Sequence, residues 1–200
     1  MYKIGVVLIS LAILLGGLYF FFGFRNDSHH HSTLLDLSKK IEEAHFSTWK
    51  EFIPQSKLFK VSLPTSPRYA KDFMDIPDSD KKRRYDMYAS EKIDGTIFLI
   101  SVMTYPHEID VDSHDTMLKQ TVDELMRSHS ANRLMKLQNQ IFKNYRTLDF
   151  SMDNHEFHIE GKVIINDKTI YVLNYIANIE NFDADEYHHF VNSFELLEKK

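Results

Sequence analysis

His155, Glu156, His158 and Glu160 gather two imidazoles and two carboxylates in one short stretch, the side chains from which a zinc hydrolase builds its centre. Such a centre sets its two histidines four apart on a helix, so that both reach one metal. Here they stand three apart within a strand-like alternation, which sends them to opposite faces, and a shared site would require a bulge. The stretch reads as polar residues on a strand surface. Asp110, Asp112, His114 and Asp115 imitate the start of an EF-hand loop. The imitation fails at its sixth position, where Asp115 replaces the glycine that makes the turn, and at its twelfth, where Thr121 replaces a bidentate glutamate. Helix capping accounts for that cluster.

The remaining groups are thinner still. His188 and His189 adjoin on a helical pattern, where neighbours diverge by about 100° and do not easily share a metal. His29, His30 and His31 lie in a polar linker that offers no supporting shell for a ligand set. The basic run from Lys81 to Arg84 could meet phosphate or an acidic partner, but Asp78, Asp80 and Asp86 surround it, and it reads as the solvated entry to a strand. There is no Gly-x-Ser-x-Gly elbow and no glycine loop to cradle phosphate. Without cysteine the chain can form no disulfide, zinc-thiolate site or iron–sulfur cluster. No residue is assigned as catalytic, cofactor-binding or metal-ligating, and no cofactor is expected. The alternative that stays open is a metal-binding protein or metal-dependent enzyme using histidine and carboxylate ligands, which requires three or more of them to converge.

The elements that would position these groups begin with a hydrophobic run. No charge occurs from Ile4 to Phe24, and at about 1.5 Å per residue a helix of that length covers about 30 Å, the thickness of a bilayer core. A cleaved signal peptide would have a shorter apolar core and small residues at its end, and a lipoprotein anchor would need a cysteine. Residues 1–25 are therefore predicted to be an uncleaved transmembrane signal anchor. Lys3 and the terminal amine favour the N-terminus inside, which places residues 26–200 across the membrane, in a bacterium on the periplasmic face of the inner membrane. With 24 basic against 29 acidic residues the chain is acidic, a poor partner for nucleic acid.

Residues 26–56 read as a linker followed by a stalk helix. Thr33 and Asp36 resemble a capping box, Leu34, Leu37, Ile41, Ala44 and Thr48 keep a three-four spacing, and Pro54 stops the helix after Trp49 and Phe52. The stripe could pair with a second copy, and Ala12 and Gly16 form a small-x-x-x-small pair within the anchor. A homodimer through anchor and stalk is thus possible, although packing of the stalk on its own domain is the favoured reading. Residues 57–200 form the globular domain. Strands are expected at Phe59–Leu63, around Tyr85–Ala89, over 96–105, and roughly over 134–142, 146–152, 156–165 and 169–177. Hairpin signals stand at Asp94-Gly95 and Asn166-Asp167. A helix is expected after the N-cap Ser113 with Leu118, Val122 and Leu125 on one face, and a short one over 183–192. Antiparallel strands interrupted by two helices indicate an α+β fold.

Phe59-Lys60-Val61-Ser62-Leu63-Pro64-Thr65-Ser66-Pro67 resembles the opening strand of the PsbP-like superfamily, a Phe-x-Val-x-hydrophobic-Pro pattern. Tyr105-Pro106 before a helix, a late hairpin with Tyr171 and Tyr175, and a closing Phe190-x-x-Ser193-Phe194 are similar to that family as well. The resemblance covers residues 57 to 197. It implies an α/β/α sandwich on an antiparallel sheet and a non-catalytic, protein-binding role, as in DcrB-like bacterial envelope proteins, from which this chain differs in having a helix where they carry a lipidated cysteine. The expectation is a membrane-anchored accessory domain with a protein partner in the envelope.

Overall fold

The computed structural model describes residues 46–76, 79–107 and 113–197. The expected anchor, the linker histidines and the stalk up to residue 45 lie outside the described residues, as do Asp78, Asp110 and Asp112. In chain order the strands are β1 (Lys50–Phe52), β2 (Phe59–Leu63), β3 (Arg68–Asp75), β4 (Lys82–Glu91) and β5 (Ile97–Thr104). Helix α1 (His114–Arg127) follows, then β6 (Arg133–Phe142), β7 (Tyr145–Asn154), β8 (Phe157–Asn166) and β9 (Thr169–Asn178). A 3-10 turn, helix α2 (Ala184–Ser193) and β10 (Glu195–Leu196) end the described chain. The strands form a seven-stranded antiparallel sheet in the order β3-β4-β5-β9-β8-β7-β6 and a three-stranded one in the order β1-β2-β10.

Alternation along the strands sorts the apolar side chains into two cores. Phe98, Ile100 and Val102 of β5 and Tyr171, Leu173 and Tyr175 of β9 face one way, against Phe59, Val61 and Leu63 of β2 and Tyr187, Phe190 and Val191 of α2. Met103, Ile170 and Val172 face the other way with Leu148, Phe150 and Met152 of β7, against Met117, Leu118 and Val122 of α1. The large sheet is therefore the middle layer, with α1 on one face and α2 plus the small sheet on the other. β5 and β9 lie inside the sheet and are covered on both faces, which is why their sequences are almost unbroken apolar runs. The helices follow their caps. The Ser113 hydroxyl accepts from the Thr116 N–H, and the Asp183 carboxylate accepts from the N–H groups of Asp185 and Glu186.

Phe59, Tyr171, Tyr175, Phe190 and Phe194 meet in the first core, whereas Tyr105 packs against the second. Phe59 stacks on Phe194 at 5.3 Å between ring centroids, Phe194 touches Tyr171 at 5.7 Å, and Phe98 packs against both Tyr175 and Phe190. Ser193 completes the joint, because its hydroxyl accepts from the Ser62 N–H at 2.9 Å and so ties α2 to β2. Each buried ring contributes about 2 kcal/mol, roughly twice a net hydrogen bond, so the rings set the spacing of the layers and the hydroxyl sets their register.

Two elements depart from the sequence expectation. The helical conformation expected up to Pro54 ends at Ser47, and Lys50–Phe52 pair with β2 in the register Lys50↔Leu63 to Phe52↔Val61. Trp49, buried edge-on against Phe98, pins the chain where the conformation changes. Tertiary pairing there overrides a helical spacing that was already running out. The second departure is β3, which has no period-two pattern because most of its side chains are exposed on an outer strand.

Candidate functional site

Pairing of β7 with β8 decides the fate of the histidine and carboxylate stretch. The register sets Asp153 opposite His158, Ser151 opposite Glu160 and Asp149 opposite Lys162, so these side chains form one polar ladder on the α2 face. His158 Nδ1 lies 2.6 Å from Asp153 Oδ1 and its Nε2 lies 3.3 Å from Glu160 Oε1, while the ring meets the edge of Phe182. Both ring nitrogens are thus taken by carboxylates, which leaves neither for a metal or a substrate. His155 is exposed in the β7–β8 turn at a φ of 40°, and Glu156 follows it, also exposed. The buried Lys162 is held by Asp149 and by the face of Phe142. Next to this ladder burial drives the Tyr187 phenol well above its ordinary pKa, and the nearby Asp149 and Glu160 act in the same direction. Among the described residues no group of three or more histidine, aspartate or glutamate side chains is placed to hold a metal ion.

The basic run at Lys81 to Arg84 needs a correction. Strand alternation turns Arg83 inward, where it is only 6% exposed on the α1 side of the sheet. Its guanidinium donates to Tyr105 Oη at 2.7 Å and to Glu124 Oε2 of α1 at 3.0 Å. Burial works against the charge, and Glu124 and Tyr105 outweigh it. Arg83 Nε has no hydrogen-bond partner in the structure. It borders a cavity of about 20 Å³ lined also by Tyr85, Ser101 and Thr121, room for about one water and for no organic ligand. Arg84 points the other way and donates to Asp86, to which Tyr69 also donates at 2.6 Å. The run is a structural device with two faces, and only sheet register could have told Arg83 from its neighbours.

Other charged groups also bind elements together. Lys92 Nζ donates to Glu186 Oε1 at 2.6 Å and pairs with Asp94 at 3.0 Å, joining the β4–β5 turn to α2. Burial lowers the Lys92 pKa, and its bonds to Glu186 and Asp94 more than restore it. In that turn Gly95 takes a φ of 84° and the Asp94 carboxylate accepts from the Thr96 N–H, as the Asp-Gly signal anticipates. His188 is exposed, whereas His189 stacks on Phe46 at 4.2 Å and meets Trp49 edge-on at 4.9 Å. Burial holds the His189 pKa below its ordinary value. His114 is exposed at the start of α1, and Asp115 pairs with Arg146 at 3.2 Å. The two histidines of α2 therefore do separate things, and the Asp115 carboxylate serves a strand contact.

What the interior does not use is the far edge of the large sheet. β6 pairs with β7 on one side, and among the described residues nothing pairs with its other side. From Arg133 to Ile141 every residue is exposed, including Leu134, Met135, Leu137 and Ile141. Lys143 and Asn144 join the two strands with φ of 48° and 72°, the pair of positive angles that defines a two-residue type I′ turn. That turn makes Phe142 and Tyr145 a hydrogen-bonded pair. By alternation, the backbone N–H and C=O groups of Leu137, Asn139 and Ile141 then point away from β7. Their side chains share the α1 face, since Leu137 lies opposite Phe150 and Asn139 opposite Leu148. The opposite edge, β3, is crossed by ion pairs of Arg68 with Glu91 and Lys82 with Asp75, and its Tyr69 is bound to Asp86.

No family model matches the sequence, and no curated protein is similar to it by the same measure. Solved structures do resemble it. Cyanobacterial PsbP (CyanoP) from Synechocystis sp. PCC 6803 superposes with a TM-score of 0.51 at 8% identity, over 75% of this chain and 93% of that one. A protein from Bacteroides thetaiotaomicron VPI-5482 gives 0.40 at 11% identity, over 76% of this chain and half of that one. A Pseudomonas aeruginosa protein of unknown function gives 0.37 at 9%, over 70% and 88%. Of these, the CyanoP superposition is close enough to show the fold: an antiparallel sheet with two helices, the PsbP-like fold.

Proposed function

We propose that this protein is a non-catalytic accessory protein of the cell envelope whose PsbP-like domain binds another protein. Residues 1–25 hold it in the inner membrane, and the domain stands on the periplasmic side, in the manner of a DcrB-like envelope protein with a helix in place of the lipid. The observation that carries the reading is β6: an open strand with apolar side chains exposed along its length, in a domain where His158, His189, Arg83, Lys92 and Lys162 are engaged in holding the fold. Exposed apolar residues rimmed by polar ones mark binding surfaces in soluble domains. The family likeness supports an accessory role, and the ladder at His158 lacks a free nitrogen with which to do chemistry.

The test is affinity capture of the full chain from membranes after in-cell crosslinking, with proteolysis of intact and permeabilised spheroplasts to locate the domain. A specific envelope protein recovered at constant ratio, and a domain cut only from the periplasmic side, are the expected results. Recovery of background proteins alone would refute the binding role, and cleavage only after permeabilisation would refute the topology.

A further inference from the structure

We propose that the open edge of β6 binds an extended, acidic polypeptide segment by strand addition, making it the eighth strand of the large sheet. This rests on the protein-binding reading and specifies its partner's chemistry. The backbone supplies the first argument. Leu137, Asn139 and Ile141 each direct an N–H and a C=O outward, at the spacing that a further antiparallel or parallel strand would satisfy. A helix or a lipid surface cannot pair with such a row. The irregularity between Leu134 and Lys136 ends the regular edge on one side and the type I′ turn ends it on the other, so the acceptor is the segment from Lys136 to Phe142.

Charge then selects the occupant. From Arg133 to Leu148 there are four basic residues and no acidic one, in a chain whose net charge is −5. Arg146 is matched by Asp115, and Lys143 donates to the carbonyls of Asn192 and Phe194. Arg133 and Lys136, both exposed, have no ion pair among the described residues, so they are the cations that remain for a partner. A second copy is a poor occupant, because pairing β6 with itself supplies no carboxylate to answer Arg133 and Lys136 of either copy. A segment alternating carboxylates with apolar residues fits both the cations and the stripe of Leu137 and Ile141. The other edge of the sheet has no such excess, since on β3 the charges are mixed and paired.

The experiment uses the full chain in detergent micelles with a fluorescent peptide of alternating valine and glutamate, its valine–lysine counterpart, and hydrogen exchange as the structural readout. Expected are binding of the glutamate peptide only and slowed exchange at Leu137, Asn139 and Ile141. Arg133→Glu combined with Lys136→Glu should weaken binding about tenfold. Asn139→Pro removes an outward N–H without touching the β6–β7 ladder, so it should weaken binding similarly while leaving the melting temperature within a few degrees. If that variant melts much lower, N-methylation of the Asn139 backbone nitrogen by semisynthesis, with the side chain kept, asks the same question of the N–H alone. Equal binding of the two peptides, or no protection of β6, overturns the proposal. So does protection that grows with protein concentration in the absence of peptide, which assigns the edge to a second copy. Binding to phosphatidylglycerol vesicles that is lost on charge reversal but kept with Asn139→Pro overturns it in favour of lipid. A partner captured equally by wild type and both variants leaves the protein-binding role standing and removes β6 as its site.

Discussion

Replacing Gly161 by alanine sets two opposed effects against each other. Gly161 lies in β8 opposite Phe150, whose ring covers the bare backbone. Removing a glycine from a strand ordinarily stabilises a protein by about 0.4 to 1 kcal/mol, because the unfolded chain loses freedom. Here a Cβ would stand 2.1 Å from Phe150 Cζ and 2.5 and 2.6 Å from its Cε atoms. The ring must retreat by roughly 1 Å or more to regain ordinary contact. It has nowhere to go, being fully buried in the core that α1 covers with Leu118 and Val122. Overpacking of that kind costs about 1 to 3 kcal/mol, so the clash outweighs the entropy gain and the net loss is about 1 to 2 kcal/mol. For a domain of this size that lowers the melting temperature by about 3 to 8 °C. The single tryptophan, Trp49, is buried in the other core and reports global unfolding by fluorescence. Combining Gly161→Ala with Phe150→Leu should recover about 1 kcal/mol relative to the sum of the single effects. A Gly161→Ala protein that melts at or above the wild-type temperature would refute the packing argument.

Glu124→Ala leaves the Arg83 guanidinium buried with the Tyr105 hydroxyl as its remaining side-chain partner at 2.7 Å, and is expected to cost about 2 to 4 kcal/mol in thermal unfolding. Arg83→Met should cost less, about 1 kcal/mol, because Glu124 is partly exposed and water can take the place of the lost donor. Lys92→Ala leaves Glu186 buried beneath the β4–β5 turn, where the Tyr175 hydroxyl still donates to it, and should destabilise the domain by about 2 to 4 kcal/mol in thermal unfolding. His189 has its pKa lowered by burial against Phe46 and Trp49, so its contribution is fully present above the unfolded value of about 6.5 and is lost as the pH falls through the lower folded value. His189→Phe keeps the ring contacts and should flatten the fall in melting temperature on going from pH 7 to pH 5; an unchanged slope would count against the assignment.

The parts of the fold that were legible in the sequence are those where one residue type answers one physical demand. Phe59, Val61 and Leu63 alternate because β2 has one buried face, Asp94-Gly95 and Asp167 supply turn geometry, and Ser113 and Asp183 cap helices. Legibility failed where partners distant in sequence decide. Arg83 looks like its neighbours until α1 brings Glu124 beneath it, and Lys50–Phe52 become a strand only because β2 offers an edge. β3 was invisible because an exposed outer strand has no apolar period to display. The open side of β6 could not be read at all, since a strand's place in the sheet order is a property of the topology. Its apolar content marked it as a strand, and only the register showed which backbone groups are left over.

The sheet order also has a temporal side. β3, β4 and β5 form a local meander, as do β6 to β9, and the two meet along a single seam where β5 pairs with β9. Some 65 residues separate those two strands in the chain. At a synthesis rate of about 5 to 20 residues per second, β5 waits about 3 to 13 s on the ribosome for its partner. Throughout that interval one of the most apolar strands in the protein, Ile97–Thr104, has a bare edge on the side that β9 will cover. β2 waits longer, because β10 follows every other strand. A nascent chain of this design needs shielding along Ile97–Thr104 until β9 emerges, and substitutions that slow α1 or the β6–β8 meander would lengthen that exposure and lower yield without weakening the finished fold.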